Sequence, residues 1–284
     1  MLIRPVPLLN FFVAVVMLSI GLRTSGGELL NIVRDRALLA RILLANCILI
    51  PALGLLLVHT FPLTPDATIG IVLLAAIPGT PIALQFTRMA KTRLAFTATM
   101  TFVLSLVSIA MTPLAIETMP QVEQRNERPV LFLIVNIALY ISLPLCAGLW
   151  VARRVPTVAS RLVLPLGILA TVVFLFLMWE TRLMRREAFN AVRGSETVLA
   201  MFLLLLLSML IGWFIGGRDR ETRRILATCT GMRNVIVVLY LARYCFPGTN
   251  VYMIPIVYLS LMVPTNLLFH LAFIGSNKLS SASN

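Results

Sequence analysis

The chain has 284 residues, of which 59% are hydrophobic and 12% charged, and its mean hydropathy is +0.95. Soluble domains carry about 25% charged residues, so this composition excludes a soluble globular protein and predicts an integral membrane protein. The formal net charge of +13 would suit a nucleic-acid-binding protein. The basic residues lie mainly in short loops between apolar stretches, however, which favours the lipid bilayer as a partner and argues against nucleic acid.

Several apolar stretches are long enough to cross a bilayer, which needs roughly 20 residues per helix. In chain order they cover residues 5–22, 38–57, 68–89, 94–116, 129–151, 162–179, 198–215, 224–243 and 251–274. The predicted fold class is therefore all-α, a polytopic membrane protein with about nine transmembrane helices. The connecting loops are short, so residues 1–284 are expected to form a single membrane domain.

Two of these stretches cannot be continuous helices. Pro78 and Pro81 each remove a backbone donor and disfavour helix in the residue before them, and Gly79 lies between them. The stretch 224–243 is interrupted at 228–234, which reads Thr-Cys-Thr-Gly-Met-Arg-Asn. In hydrocarbon, broken helices persist only where protein or water covers them. Two broken spans in the two halves of a chain indicate a transporter's binding site, whereas a tolerated proline kink is the alternative for each break alone.

The loops carry Lys and Arg unevenly, with about twice as many on one side of the predicted membrane as on the other. This bias predicts that the N-terminus lies outside and the C-terminus inside. The segment 179–197 departs from the bias, because it places several arginines on the outer side. It is either a short helix at the membrane interface or a sign that one of the predicted spans is wrongly assigned.

The order of the stretches suggests two inverted repeats, because each half places its broken helix third. Residues 1–117 would form a first, shortened repeat, and 160–276 the remainder of the second. Residues 129–152 would be an extra helix leading into the second repeat. We expect the two broken helices to cross, with 78–81 and 230–234 in side-chain contact near the middle of the membrane.

The residues at these positions resemble the bile acid:sodium symporter family. The resemblance is carried by Gly21-Leu22, 46–51, Pro78-Gly79, Thr112-Pro113 and Gly231-Met232-Arg233-Asn234. It implies a bacterial member in the nine-helix form of a ten-helix fold, in which the broken helices cross in a core domain and other helices form a panel domain. It also implies that the substrate is a bile acid or another small organic anion.

The resemblance also implies where substrate and ions bind. The expected substrate-binding residues are Pro78, Gly79, Thr80, Gln85, Arg233 and Asn234. The expected ion-binding residues are Asn46, Thr97, Thr101, Cys229, Thr230 and Met232. The family's shared sodium ligand is a glutamate, and Cys229 occupies that position here. Arg233 replaces the motif's glutamine, and Ala83 and Leu84 replace a Ser-Asn pair, so sodium coupling is doubtful; no other cofactor and no metal are expected.

Arg233 is the only charge near the middle of a span, since all eleven Asp and Glu residues fall in loops or at span ends. A central arginine costs at least a few kcal/mol and normally faces the protein interior or water. The guanidinium could be held by carbonyls at the end of its own half-helix, in place of a cation. It could also bind a substrate carboxylate.

The expected function is a secondary transporter that moves a small organic anion by alternating access. A non-transporting membrane sensor or receptor on the same fold is the alternative. An enzyme is not expected, because the chain has no GxSxG, HExxH or Walker motif and no paired carboxylates or histidine clusters in its spans. The expected location is the bacterial inner membrane, with the N-terminus outside and the C-terminus cytoplasmic.

Overall fold

The computed structural model describes residues 5–24, 26–80, 82–89, 93–117, 130–180, 182–192 and 195–282. Within these ranges the regular structure is helical and contains no strand. The all-α class predicted from composition is therefore confirmed for the described part of the chain.

The first half of the chain contains seven α-helices and one π-helical segment within its described residues. They are α1 (Pro5–Arg23), α2 (Gly26–Arg34), α3 (Arg36–Leu44), the π-helical segment (Ala45–Leu49), α4 (Ile50–Thr60), α5 (Pro65–Ala76), α6 (Ala83–Met89) and α7 (Leu94–Glu117). The π-helical segment joins α3 to α4 without a break. The pair α5 and α6 is the first broken stretch.

The second half is also helical where it is described. It comprises α8 (Val130–Arg154), α9 (Pro156–Glu180), α10 (Arg182–Ala191), α11 (Ser195–Ile215), α12 (Arg220–Gly231), α13 (Val235–Cys245) and α14 (Met253–Ala282). The pair α12 and α13 is the second broken stretch. The short helix predicted within 179–197 is α10, which buries Ala188 and packs against α14.

Six helical stretches in the described residues are long and apolar enough to cross a membrane. They are Arg36–Thr60, Leu94–Ile116, Pro156–Trp179, Glu196–Ile215, Arg220–Cys245 and Met253–Phe273. Phe11–Arg23 and Pro65–Ala76 are shorter apolar helices. The predicted stretches lie on helices, but the count of nine spans, the inverted repeats and the domain boundaries stay predictions.

The helices pack in two groups. In the first, α1 lies against α8 and α9, and Gly21 faces Gly148 so closely that a Cβ on Gly21 would lie 2.2 Å from the Leu145 carbonyl oxygen. Small residues allow helix backbones to approach in this way inside membranes. In the second group, α5 packs against α11, α13 and α14, and α12 packs against α11 and α7. α7 also packs against α1 and α8, so it links the two groups. This second group contains both broken stretches.

Two contacts between loops define how the broken stretches run. Asp66, at the start of α5, accepts a hydrogen bond from the backbone N–H of Asn250, just beyond α13 (3.0 Å). Arg93, just beyond α6, pairs with Asp219 at the start of α12 (3.1 Å). The start of each broken stretch thus lies beside the end of the other, so the two stretches run antiparallel.

Candidate functional site

The first break follows directly from its proline and glycine. α5 ends at Ala76, and Ile77 turns to an extended conformation with φ −109° and ψ 97°. Gly79 has φ +82°, a conformation that side chains disfavour, and a Cβ there would lie 2.6 Å from the Leu104 carbonyl carbon. Glycine is thus required both by the backbone conformation and by the close approach of α7.

The second break lies between α12 and α13. Met232 ends α12 in an extended conformation, and Asn234 caps α13 by accepting a hydrogen bond from the Val237 N–H (3.3 Å). A Cβ on Gly231 would lie 2.2 Å from Cγ of Met209, so α11 packs tightly against this end of α12. Tyr258 of α14 donates its hydroxyl to the Gly231 carbonyl (2.7 Å).

The two breaks contact each other directly. The backbone N–H of Asn234 donates to the Ile77 carbonyl (3.2 Å), and the Asn234 side chain donates to the Gly79 carbonyl (3.0 Å). These bonds satisfy carbonyls that the first break removes from the helical ladder. The predicted crossing is therefore present for the described residues 78–80 and 230–234, whereas Pro81 lies outside the described residues.

Arg233 lies at the centre of the crossing and is fully buried. Its Nε donates to the Leu74 carbonyl (2.9 Å) and one Nη donates to the Ala75 carbonyl. The other Nη donates to Oδ1 of Asn46 (3.0 Å) and makes a longer bond of 3.5 Å to the Thr230 carbonyl. The guanidinium therefore bridges the carbonyl ends of both broken helices, where the helix dipoles are negative.

The sequence anticipated only part of this arrangement. It pointed to carbonyls of Arg233's own half-helix, but the shorter bonds come from Leu74 and Ala75 at the end of α5. No sequence pattern singled out these two apolar residues, because their contribution comes from the backbone. Tyr258 was also missed as a site residue, although a hydroxyl in the middle of an apolar span is a detectable signal.

Asn46 reaches the crossing from the π-helical segment. Its Nδ2 donates to the Ile42 carbonyl (3.0 Å), which leaves Oδ1 to accept from Arg233. Pro51 follows within α4 and lacks the N–H that a regular helix would use there. π-helical turns of this kind occur often at functional sites.

A second group of predicted residues lies beside the crossing. Thr101 donates to the Thr97 carbonyl (2.9 Å), and its side chain lies beside the buried thiol of Cys229. Met232 is fully buried, and so is the Thr230 hydroxyl, which has no hydrogen-bond partner in the described part of the chain. Of the predicted ion-binding residues, the Asn46 side chain and the Thr230 carbonyl therefore bond to Arg233, while Thr97, Thr101 and Cys229 form a group of their own.

These residues do not fit the family's sodium ion. The described oxygens around Cys229 and Thr101 belong to hydroxyls and carbonyls, and no described carboxylate joins them. The carbonyls at the end of α5 already accept from a guanidinium. A group of uncharged oxygen atoms that lies beside a fixed positive charge binds a second cation poorly.

The remaining predicted substrate-binding residues lie in two different places. Pro78 and Thr80 are buried at the first break, where the Thr80 hydroxyl accepts a hydrogen bond of 3.4 Å from the Ile82 N–H. Gln85 lies further along α6, and its Oε1 accepts from the hydroxyl of Thr171 on α9 (3.0 Å). Gln85 therefore contacts the other helix group instead of Arg233, and Thr171 was not anticipated.

Two interrupted helices that cross inside a bundle of apolar helices define a class of membrane transport proteins. The profile of the Sodium Bile acid symporter family matches residues 10–188, more than half of the chain, and the chain belongs to this family. It is an integral membrane protein of a transporter family. A comparison with curated proteins finds no match to the chain. The matched range includes Asn46 and the first break but ends before the second break.

Proposed function

We propose that this protein is a secondary carrier that moves a small organic anion across the membrane by alternating access, without sodium coupling. The proposal follows from membership of a symporter family together with the crossing of two broken helices. Alternating access in such proteins moves one helix group against another around a fixed site. The hydrogen bond between Gln85 and Thr171, which joins the two helix groups, supports their boundary as the surface of that movement.

The observation that carries the loss of sodium coupling is the position of Arg233. Its guanidinium binds the carbonyls that would otherwise be free to bind a cation. Two cations about 4 Å apart repel by roughly 4 kcal/mol at an effective dielectric constant near 20. That energy corresponds to about a thousandfold in affinity, since each 1.4 kcal/mol is tenfold. Sodium would therefore bind the neighbouring hydroxyls only weakly.

The same charge favours an anionic substrate. Arg233 contributes a positive charge at the crossing, and none of the described residues that contact its guanidinium is acidic. The N-terminus of α13 adds a positive dipole end beside Asn234. In this proposal the anion binds along Pro78, Gly79, Thr80, Gln85 and Asn234. Arg233 attracts the anion mainly through its electrostatic field, because its N–H groups already donate hydrogen bonds to protein oxygens.

The test is uptake into proteoliposomes that contain the purified protein. Radiolabelled cholate, taurocholate, pyruvate and pantoate would be offered with an inward sodium gradient and, separately, with potassium in its place. We expect uptake of at least one of these carboxylates at the same rate in both conditions. Liposomes without protein are the control for leakage.

The alternative outcomes separate the hypotheses. Clear sodium-driven uptake would mean that hydroxyls and carbonyls build a competent sodium site, and it would defeat the sodium-independent proposal. Absence of uptake of any anion under any gradient would defeat the transporter proposal and favour a sensor or receptor on the same fold.

A further inference from the structure

A second buried polar cluster lies between α12 and α14, separate from the crossing. Arg224 and Thr228 are one turn apart on α12, and Asn266 and His270 are one turn apart on α14. Thr228 Oγ1 lies 3.0 Å from Nε2 of His270, and the Arg224 guanidinium lies 4.9 Å from the ring centroid of Phe273. Arg224 is 9% exposed and His270 3%, while Thr228 and Asn266 are fully buried.

This cluster contains polar atoms without hydrogen-bond partners in the described part of the chain. They are Nε and Nη2 of Arg224, Nδ1 of His270 and Oδ1 of Asn266. A buried donor or acceptor that lacks a partner is costly, and the cost is larger for a charged group. Native proteins therefore rarely retain several such atoms together unless something binds them. The two unpartnered N–H groups of Arg224 can donate to an occupant that accepts hydrogen bonds, whereas Oδ1 of Asn266 is an acceptor that such an occupant does not satisfy.

The charges around the cluster indicate the sign of that occupant. The helices α6, α13 and α14 contain no Asp or Glu, and the only acid of α11, Glu196, lies in its first turn. Among the other helices that pack against α12 or α14, α5 and α7 carry Asp66 and Glu117 at the ends away from Arg93, and α10 carries Glu187. Glu221 lies one turn before Arg224 but binds Arg93 through the backbone N–H (2.7 Å) and the guanidinium (3.5 Å). The structure does not describe the side chains of Arg88 and Lys278. Glu221 adds some negative charge near Arg224, but no described Asp or Glu forms an ion pair with its guanidinium.

We propose that this cluster is a second binding position for the carboxylate of the transported anion, and that His270 takes up one proton when the carboxylate binds. The inference rests on the carrier function proposed above, and it identifies the proton as the ion that is coupled to anion transport. The Nε and Nη2 of Arg224 donate to the carboxylate. A proton from the adjoining aqueous phase forms a new N–H bond at Nδ1 of His270, while Nε2–H donates to the Thr228 hydroxyl. Release of the anion returns the proton to water.

The coupling follows from electrostatics. Without the anion, both the burial of His270 and the charge of Arg224 disfavour a proton on the ring. With the carboxylate bound, the added negative charge offsets that repulsion and the protonated ring becomes a second donor to it. Anion and proton therefore bind together and leave together. A proton would thereby serve the role that sodium serves in a symporter.

The first experiment observes the histidine directly. The chain has only two histidines, and His59 is exposed, so His59→Gln leaves a single ring signal from His270. NMR of isotopically labelled histidine in this variant would follow ring protonation between pH 5 and 8. Potassium pyruvate and potassium cholate would each be compared with potassium chloride. We expect at least one carboxylate to raise the protonated fraction at a given pH severalfold, and the effect to vanish when Arg224→Gln is added.

The second experiment tests coupling in proteoliposomes. A pH gradient, acid on the side of the labelled anion, should accelerate uptake severalfold in the wild type and in His59→Gln. His270→Gln places an amide that can keep the bond to Thr228 but cannot take up the proton. It should abolish the effect of the gradient, and uptake without a gradient should also slow, because the carboxylate loses its second donor.

The outcomes distinguish this inference from the proposed function. Transport that responds to the pH gradient equally in the wild type and His270→Gln would overturn the inference and leave the carrier function intact. A ring signal that no carboxylate changes, or that changes equally with Arg224→Gln, would overturn it as well. Failure of uptake in the wild type under every gradient would instead contradict the carrier function.

Discussion

Arg233 shows how one residue can stabilise an interrupted membrane core. Its side chain is fully buried and donates to carbonyls of Leu74, Ala75 and Thr230 and to the side chain of Asn46. Hydrogen bonds to charged groups contribute about 1.5–3 kcal/mol each. The residue therefore stabilises both breaks, in addition to any effect of its charge on transport.

The first prediction concerns removal of this charge. Arg233→Gln should destabilise the protein by about 3 kcal/mol, because a shorter neutral side chain cannot satisfy the carbonyls of both helices. Arg233→Lys should fall between the wild type and Gln, because a point charge lacks the planar fork. Thermal unfolding in detergent measures the effect. Arg243→Gln is the matched control, because Arg243 is exposed and should change stability by less than about 0.5 kcal/mol. Equal stabilities for Arg233→Gln and Arg243→Gln would refute the structural role.

The second prediction concerns sodium. We expect Arg233→Gln to lose transport, and added sodium should not restore it. The double substitution Cys229→Glu with Arg233→Gln supplies a carboxylate and removes the competing cation, so it should regain partial sodium dependence. Ala83 and Leu84 would still lack ligand oxygens, so affinity should stay low. Uptake measured against sodium concentration tests this, and the single Cys229→Glu variant is the control. Sodium dependence in that single variant would show that Arg233 does not exclude the ion.

At the scale of elements, the breaks depend on glycine as much as on proline, which leads to the third prediction. Gly79→Ala adds a Cβ within 2.6 Å of the α7 backbone at φ +82°. Left-handed backbone costs about 1–2 kcal/mol, and overpacking costs roughly 1–3 kcal/mol more. Gly248→Ala is the matched control, since its φ is +81° but no atom lies within 4 Å of the added Cβ. Thermal unfolding should show a clearly larger loss for Gly79→Ala, and equal losses would mean that contact with α7 is unimportant.

The start of α12 is a capped and charged helix end. Asp219 caps it by accepting hydrogen bonds from the backbone N–H groups of Glu221 and Thr222, and its carboxylate pairs with Arg93. The hydrogen bond from the Thr222 hydroxyl (2.5 Å), followed by these backbone bonds and the Arg93 charge, lowers the pKa of Asp219 below its ordinary value. Because the folded-state pKa is lowered, this stabilisation is present at neutral pH. It is lost as the pH falls below about 4 and through the lowered pKa.

The fourth prediction uses that cap. Asp219→Ala should destabilise the protein by about 1 kcal/mol at pH 7, which is typical of a lost N-cap, and the difference from wild type should shrink in acid. Asp35→Ala is the control, since Asp35 caps α3 with a bond of 2.9 Å to Leu38 N–H. Asn can still act as an N-cap, so the difference in stability between Asp219→Asn and Asp35→Asn measures the contribution of the exposed ion pair with Arg93. We expect this contribution to be at most about 1 kcal/mol. Chemical unfolding at pH 7 and near pH 3 measures both effects, and a pH-independent loss at Asp219 would contradict the assignment.

At the scale of the whole molecule, two loop contacts hold the ends of the crossing. Asp66 with Asn250 joins one end, and Arg93 with Asp219 joins the other. Each contact lies where one broken stretch starts and the other ends. Opposite ends of a pair of antiparallel membrane segments face opposite sides of the bilayer. The loop bias in Lys and Arg predicts that the Arg93 end is cytoplasmic.

The fifth prediction tests this orientation. Cysteines would be introduced singly at the exposed positions Pro62 and Arg218 after replacing Cys47 and Cys146 with alanine. The remaining Cys229 and Cys245 are buried and should react slowly. A membrane-impermeant maleimide added to intact cells should label the cysteine at position 62 and spare the one at 218. The reverse pattern would reject the N-out orientation, and labelling of both only after lysis would place both loops inside.

The sequence by itself determined the membrane class, the positions of the helices and the location of both breaks. The apolar composition favours insertion of the chain into lipid. Apolar stretches long enough to span the bilayer form helices there, because each backbone N–H and C=O group must find its hydrogen-bond partner within the chain. Pro78, Gly79 and Gly231 also act locally, since their effect on the helix does not depend on which neighbour packs against them. The single charge of Arg233 within an apolar stretch could likewise be identified from the sequence without knowledge of its neighbours.

Only the tertiary structure decided which groups meet at the breaks. Arg233 and Leu74 are 159 residues apart, and Tyr258 reaches Gly231 from a separate helix. Backbone carbonyls carry no sequence signal, so the partners of Arg233 at Leu74 and Ala75 could not be predicted. The contact of Gln85 with Thr171 and the cluster of Arg224 with His270 depend likewise on how whole helices pack. Periodicity places a residue on a helix, but the register between distant helices follows from the fit of all their side chains.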